Sequence, residues 1–425
     1  MTASAATLPR LLAGVGGERQ ITLDEHHRRH GPLPRDTRRA RLDLIGLVAD
    51  SGLRGRGGAG FPAAAKLQAV RDARGASVVL ANGAEGEPAS AKDRLLLEAA
   101  PHLVLDGALL AADAVGAREV VVAVTGGAAL RALERALAER AAVPERVAVT
   151  LARVPDLFIA GEETALVNHL GGGPLKPLLT PPYPSARGLR RRPTLVQNVE
   201  TLAHLALIAR HGPRWFRGAG TGEDPGSALI TLSGAVAYPG VFEAGTEIAL
   251  DDLLDAAGGL VEPARAVLVG GYFGDWIDAA AVDDLRLDDA SLRRFGAKRG
   301  AGVIAVLPRS ACGPAETARV LAYLAGQSAG QCGPCVNGLP AIAATVGRIV
   351  DGSAPADALV HLHRWQSVVR GRGACRLPDG VARFAASALA VFADEFADHH
   401  RHGRCDRCWS HAILPIPPPR AELAA

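Results

Sequence analysis

Gly52 to Pro62 reads GLRGRGGAGFP, and the residue types limit what this stretch can be. Gly55, Gly57, Gly58 and Gly60 fall within six residues. Glycine inside a helix or strand forfeits backbone entropy and packing surface, so this is a loop. Such a loop turns sharply and lets backbone N–H groups approach a flat or anionic ligand. Arg54 and Arg56 add charge suited to a phosphate. The spacing is not the strict dinucleotide fingerprint, so on this stretch alone a ligand loop and a structural turn both stand. Carboxylates gather in NGAEGEPASAKDR (Asn82 to Arg94) and FIAGEETALVNHL (Phe158 to Leu170). Six cysteines complete the set: Cys312, then Cys332 and Cys335 in SAGQCGPC, a solitary Cys375, and Cys405 with Cys408. In 425 residues these are no disulfide framework, and C-x-x-C spacing reads as metal ligation in a reducing compartment.

Bulk composition excludes several classes. A net charge of +3 is too small to argue for nucleic acid, and the basic cluster His26 to His30 reads as a solvated face. No apolar run reaches the roughly 20 residues of a membrane span. The short apolar piece after Thr7 leads straight into Arg and Glu, unlike a signal peptide. Cytoplasm is the expected location, peripheral to a membrane complex at most. Only four of the 47 basic residues are Lys, and Lys66 and Lys92 both sit in the N-terminal motifs. Where Arg is used almost everywhere, a retained Lys suggests that a compact ammonium is wanted.

The elements that must position these residues follow from periodicity. Residues 1–35 are a polar arm. Leu42 to Val48 has helical spacing and runs into the glycine loop. Val78 to Ala81, Glu119 to Val124 and Val147 to Leu151 read as strands, with Ala128 to Glu139 a helix between them. Strands alternating with helices predict an α/β domain with a largely parallel sheet over residues 36–220. Gly218 to Ser227 is a linker by composition. LITLSGAV, a Pro239-Gly240 turn, VFEAGTEI, DDLLDAAGG and RAVLVGG make a compact ββαβ run over 228–288. From Pro314 Ala-rich helical periodicity predicts a bundle over 310–400, followed by a tail, 401–425.

With PTLVQNVETL (Pro193 to Leu202), these motifs stand in order over residues 45 to 400. There the chain resembles the NADH-binding flavoprotein subunit of respiratory complex I, the F-type subunit family of NADH-quinone oxidoreductases. It is similar too to diaphorase subunits of NAD-linked hydrogenases and formate dehydrogenases. The resemblance implies an α/β and α+β multidomain chain. Its parts are a Rossmann-like parallel-sheet flavin domain, a small ubiquitin-like β-grasp domain of the soluble-ligand-binding kind, and a C-terminal helical bundle.

The resemblance also implies the chemistry. Flavin mononucleotide (FMN) would lie along Gly55, Arg56, Gly57, Gly58, Ala59, Gly60 and Lys66, with Asn82. Asn198 and Thr201 stand at a helix start whose N–H groups suit a phosphate; for Asn198 an ordinary N-cap is the other reading. NADH would lie over the flavin on the Phe61 side, near Gly161, Glu162, Glu163 and Tyr183. Glu85 and Glu87 would join the same acidic lip or form a solvated loop. Carboxylates there accept ribose hydroxyls and oppose a 2′-phosphate, which predicts NADH over NADPH. Hydride transfer needs no side-chain acid or base. A 4Fe-4S cluster would take Cys332, Cys335 and Cys375, and the acceptor would be a separate electron-carrier subunit, 2Fe-2S thioredoxin-like or ferredoxin.

Several family positions are substituted. Ala84 replaces an acidic residue, Ala69 and Ala91 replace aromatics, Phe158 replaces Tyr, and Thr180 replaces Lys. Losing one stacking partner costs roughly 0.5–1.5 kcal/mol beyond area burial. The first cluster-ligand position is occupied by Ala329, which cannot bind iron. Three readings stand for the cluster: Cys312, Cys405 or Cys408 completes it, three thiolates hold it, or the thiols hold none. Cys405 and Cys408 lie among His399, His400, His402 and His411, as a zinc site or as a solvated tail. Two further readings of the whole are a non-catalytic paralogue that keeps fold and subunit contacts, and a β-grasp ligand-binding module.

Overall fold

The computed structural model describes residues 8–17, 19–34, 43–143 and 145–418. The ends of the polar arm and of the tail, and Leu42, lie outside them. Val78–Gly83 (β1) and Glu119–Val124 (β2) are apolar runs without polar alternation, the pattern of strands covered on both faces. With Ala148–Arg153 (β3) and Thr194–Asn198 (β4) they form an all-parallel sheet of order β3-β2-β1-β4. Val79 and Ala81 enter one core, and Val78 and Leu80 the core on the opposite face. The helices of this unit are α1 (Leu23–His30), α2 (Leu44–Ser51), α3 (Ala63–Arg71), α4 (Lys92–Ala99), α5 (Pro101–Val115), α6 (Gly127–Arg140), α7 (Glu163–Leu170), α8 (Pro184–Arg187), α9 (Val199–His211) and α10 (Pro213–Phe216).

Strand order reverses beside β1, since β2 and β3 add to one side and β4 to the other. A crevice opens at the carboxyl ends of strands at such a reversal. The register places Asn82 directly opposite Asn198 there. Topology therefore brings together two motifs more than a hundred residues apart.

The basic cluster of α1 is solvated only in part: Arg28 and Arg29 are exposed, but His26 is turned inward. His26 is buried, with Nε2 2.7 Å from Asp106 Oδ2 on α5. Asp106 also accepts from Arg140 at 2.5 Å and from Arg210. Burial opposes ionisation of Asp106, but these partners outweigh it and hold the carboxyl well below the usual range. Helix α1 is thus docked through a buried charge network, because one of its faces meets α5.

Ser227–Gly234 (β5), Gly240–Gly245 (β6), Ala264–Val269 (β7), Asp275–Asp278 (β8) and Val303–Pro308 (β9) make a second sheet of order β6-β5-β9-β7-β8. Its central pair, β5 and β9, is parallel and the other pairs are antiparallel, as in a ubiquitin-like β-grasp. The sheet therefore runs to Pro308, beyond the expected boundary at 288. Its last central strand pairs with a segment some seventy residues earlier, which local periodicity does not signal. Val267, Val269, Ile304 and Val306 pack toward α11 (Leu250–Ala256), which α12 (Asp289–Arg294) follows in the chain. Ala266, Leu268, Ala305 and Leu307 face a bundle of α13 (Gly313–Gly326), α14 (Leu339–Val350), α15 (Ala358–Val369), α16 (Leu377–Val391) and α17 (Ala393–His402).

The glycine-rich stretch with a linker's composition is a locked corner. Asp224 is buried and accepts from Arg299 at 2.7 Å. The described part of the tail is largely exposed but is anchored at one point. Leu414 is buried and its N–H donates to Glu316 on α13 at 2.9 Å. Among the described residues no single helix is long and apolar enough to cross a membrane.

Candidate functional site

The glycine loop lies at the reversal point between α2 and α3. A Cβ on Gly57 would stand 3.2 Å from Asn198 Cβ, so the loop backbone lies against the start of α9. At Gly58 crowding is not the constraint, since a Cβ there would make only ordinary contacts with Gly300. Its φ of +102° is what demands glycine. Gly55 N–H donates to Phe61 O at 2.8 Å, which closes the loop around Ala59 and Gly60. Phe61 is 56% exposed just before α3, and Tyr183 is 59% exposed just before α8. These two helices pack together.

Of the two arginines, Arg56 does not offer its charge to a ligand, whereas Arg54 stays partly exposed on the loop. The Arg56 guanidinium is buried and donates to the carbonyls of Pro225 and Ser227 at 3.2 and 3.3 Å. Burial lowers its pKa to about 10. Only its backbone serves the loop, donating N–H to Thr201 Oγ1 at 2.8 Å. Arg54 turns back to Gly60 O at 2.9 Å. A further cation near the loop is Lys66, whose Nζ lies 2.5 Å from Glu163 Oε2.

The other predicted residues form the surrounding frame. Asn82 donates Nδ2–H to Gly161 O at 3.0 Å, tying β1 to the turn before α7. Glu162 caps α7, accepting from Ala165 N–H and Thr164 Oγ1, both at 2.7 Å. Asn198 caps α9 through Oδ1 and donates Nδ2–H to Asp93 at 2.7 Å. Glu85 accepts from Ser90 and from the N–H groups of Asp93 and Arg94 at the start of α4. Glu87 accepts from Tyr272 N–H at 2.8 Å and Ala89 N–H at 3.2 Å. Neither is a solvated loop residue. Burial pushes the Glu87 carboxyl up to about 7.

Sequence reasoning marks Lys92 only through its scarcity. It is buried between Asp93 at 2.7 Å and Glu200 at 2.8 Å. Burial opposes its charge, but those carboxylates outweigh burial and raise its pKa. Removing one partner of such a pair costs about 3–5 kcal/mol. Together with Asp93 and Asn198, the pair fixes the starts of α4 and α9 beside the glycine loop.

The cysteines divide into two groups. Cys332 and Cys335 flank the start of a π-turn, Pro334–Gly338, that runs into α14. Burial, followed by its neighbours Cys332 and Cys375, pushes the Cys335 thiol up to about 12. Cys375 is raised by burial first, with Glu162, Cys332 and Asp379 as charged neighbours. These three thiols are mutual neighbours beside Glu162 of the nucleotide motif. Cys312, Cys405 and Cys408 do not join them. They gather instead around His399, with all four ligand atoms within 4.8 Å of one another. Of the three readings for the cluster, the one that recruits another cysteine is therefore set aside. Sequence spacing alone could not reveal the second group, since Cys312 lies 96 residues before Cys408.

Comparison with known proteins finds two matching regions. Residues 48–207 match the family model of the Nuo51 FMN-binding domain, and residues 315–399 match the NADH-ubiquinone oxidoreductase-F iron-sulfur binding region. The chain is 34% identical to the second F-type subunit of NADH-quinone oxidoreductase of Rhizobium meliloti (strain 1021), over 85% of this chain and 90% of that protein. It is 33% identical to the F-type subunit of NADH-quinone oxidoreductase of Streptomyces coelicolor, over 92% of this chain and 91% of that protein. Among solved structures, a chain of an NAD+-reducing [NiFe]-hydrogenase in the H2-reduced state superposes with a TM-score of 0.79 at 32% identity. That match covers 87% of this chain and 64% of the hydrogenase chain, less than two thirds of its length.

Proposed function

Because the chain belongs to the F-type subunit family of NADH-quinone oxidoreductases, we propose that it oxidises NADH on FMN at the β1–β4 reversal point and passes the electrons to a separate carrier subunit. One observation carries the placement. Asn82 and Asn198 stand opposite each other at the strand ends, with Gly57 packed on Asn198. The site fits a flat anionic cofactor: a glycine loop permits close approach, and Lys66 supplies a cation.

The backbone of Gly55, Arg56, Gly57 and Gly58, with Lys66, Asn82, Asn198 and Thr201, would hold the flavin. Phe61, Tyr183 and Glu163 would receive the nucleotide. Cys332, Cys335 and Cys375 would supply three thiolates to an iron-sulfur cluster. When bound, FMN supplies two-electron acceptance and one-electron release, and the cluster an onward one-electron path. The chain's own work is orientation and exclusion of water. The Asn198 cap and the Lys92–Glu200 pair hold the starts of α9 and α4 rigid beside the loop. Lys66, paired with Glu163, would present an ammonium donor to the bound flavin. We further infer a 2Fe-2S thioredoxin-like or ferredoxin partner and a cytoplasmic location at the edge of a larger complex.

The test is bound flavin and its anaerobic bleaching by NADH in the full chain, alongside Gly58→Val. The parent is expected to hold flavin that NADH bleaches. The variant is expected to lose it while its helical circular dichroism stays. A parent that takes up no FMN and ignores NADH would leave the non-catalytic paralogue, a reading favoured by Ala329 at a ligand position.

A further inference from the structure

We propose that Cys312, His399, Cys405 and Cys408 bind one zinc ion that clamps the C-terminal segment to the helical bundle. This site is separate from the Cys332–Cys335–Cys375 thiols and does not depend on the flavin reading.

Geometry carries the proposal. A tetrahedral ion with Zn–S of about 2.3 Å and Zn–N of about 2.0 Å spaces its ligand atoms about 3.5–3.8 Å apart. Here Cys312 Sγ lies 3.2 Å from His399 Nε2 and 3.5 Å from Cys408 Sγ. Cys408 Sγ lies 3.8 Å from both Cys405 Sγ and His399 Nε2. All four ligand atoms fit within 4.8 Å, room for one ion and not for an iron–sulfide cube between them. Three thiols and an imidazole in a tetrahedral arrangement select zinc over the hard divalent ions. All six cysteines of the chain are free.

The surroundings prepare the ligands. His399 is one of two buried residues on α17, and its Nδ1 lies 3.1 Å from Val350 O. With Nδ1–H donating to that carbonyl, Nε2 keeps its lone pair and points at the thiols. His400 bonds Pro355 O instead, and His402 and His411 are exposed. Cys312 is the N-cap of α13, where its sulfur accepts from Ala315 N–H at 3.4 Å. Cys408 N–H donates to Cys405 O at 3.0 Å, closing the turn that brings the two thiols together, and the Arg407 side chain lies beside Cys405. Three thiolates around a divalent ion leave one negative charge, and Arg407 sits beside it. Arg407 in turn bonds Glu395 at 3.1 Å, which also holds Arg265 of β7 at 2.9 Å. Closing the site therefore joins the tail to α13, α17 and the second sheet.

The experiment measures zinc and iron per chain in full-length protein purified anaerobically without added metal. Parent, Cys405→Ser, Cys408→Ser and Cys375→Ser are compared. One zinc per chain is expected in the parent and in Cys375→Ser, with at least about a tenfold fall in Cys405→Ser and Cys408→Ser. Should those variants fold poorly, the parent answers alone. A mercurial reagent should release its zinc, and refilling with cobalt should give the thiolate charge-transfer and intense d–d bands of a tetrahedral site. Chelation should also speed tryptic cleavage after Arg404 and Arg407. A parent without zinc, zinc retained in both variants, a Cys405–Cys408 disulfide, or iron in place of zinc at these residues would overturn the proposal.

Discussion

The Lys66 ammonium lies 2.5 Å from the Glu163 carboxylate, joining α3 to the first turn of α7 across the crevice. Both side chains are partly exposed, 26% and 35%, and such pairs contribute only about 0–1 kcal/mol. The pair is therefore a poor stabiliser. It brings a cation and a carboxylate of the cleft together where flavin and nucleotide would meet.

Lys66→Met should separate binding from folding. Flavin retention is expected to fall at least about tenfold, the loss of one charge-assisted contact of roughly 1.5–3 kcal/mol. The thermal midpoint should move by no more than a few degrees, on the scale of a surface pair. The two readings are flavin absorbance after gel filtration and the melting curve. Flavin retained in full would remove Lys66 from the cradle.

Discrimination between NADH and NADPH should rest most on Glu163, the carboxylate of the four whose partner, Lys66, is itself a side chain of the crevice. Glu162 is occupied as the cap of α7, Glu85 at the start of α4, and Glu87 by Tyr272. At equal concentration NADH is expected to bleach the flavin faster under anaerobic conditions. Glu163→Gln should narrow the ratio by about tenfold, the effect of roughly 1–2 kcal/mol of like-charge repulsion at a solvent-lined site. Faster bleaching of the parent by NADPH would sink the charge argument.

Glu87 predicts a pH dependence of stability. Its side chain bridges the loop after β1 to Tyr272 after β7, and burial raises its folded pKa to about 7. A folded state that binds the proton more tightly than the unfolded chain gains stability below the unfolded value of 4.5. That gain is lost as pH rises through about 7. The swing is at most about 3 kcal/mol. Glu87→Gln should flatten the denaturation midpoint between about pH 5 and pH 8. Superimposable profiles for parent and variant would show that Glu87 titrates normally.

The legibility of these features follows the range of the interactions behind them. β1 and β2 are visible as unbroken β-branched runs, and the glycine loop as a density of glycines no regular element accepts. The β-grasp boundary escapes a local reading because β9 pairs with β5 across a long insertion. Arg56 reads as a phosphate ligand because charge is visible in sequence, whereas the carbonyls that claim its side chain belong to residues 225 and 227. The cysteines show the same limit. C-x-x-C announces a pair, but His399 is distinguished from its neighbours only by its register with Phe396 on the buried face of α17.

The substituted ligand position gives the last prediction. Ala329 follows the end of α13, and the next residue, Gly330, turns with φ +62° toward Cys332. The side chain of Ser328 contacts Cys335, so this turn lies beside the three thiols. A cubane wants four thiolates, and with three of them one iron is left to solvent or a weak oxygen ligand. The parent should therefore hold iron loosely and lose it in air. Ala329→Cys restores C-x-x-C-x-x-C opposite Cys375 and should raise retained iron and sulfide at least about twofold, with a stronger reduced-state paramagnetic signal. Iron, sulfide and the low-temperature spectrum are measured on both proteins after anaerobic purification. Four tightly held irons in the parent would mean that another residue already serves as the fourth ligand, and Ser328, Glu162 and Asp379 are the oxygen donors to replace first. If neither protein holds iron after reconstitution, the three thiols are structural and the electron path must leave the flavin by another route.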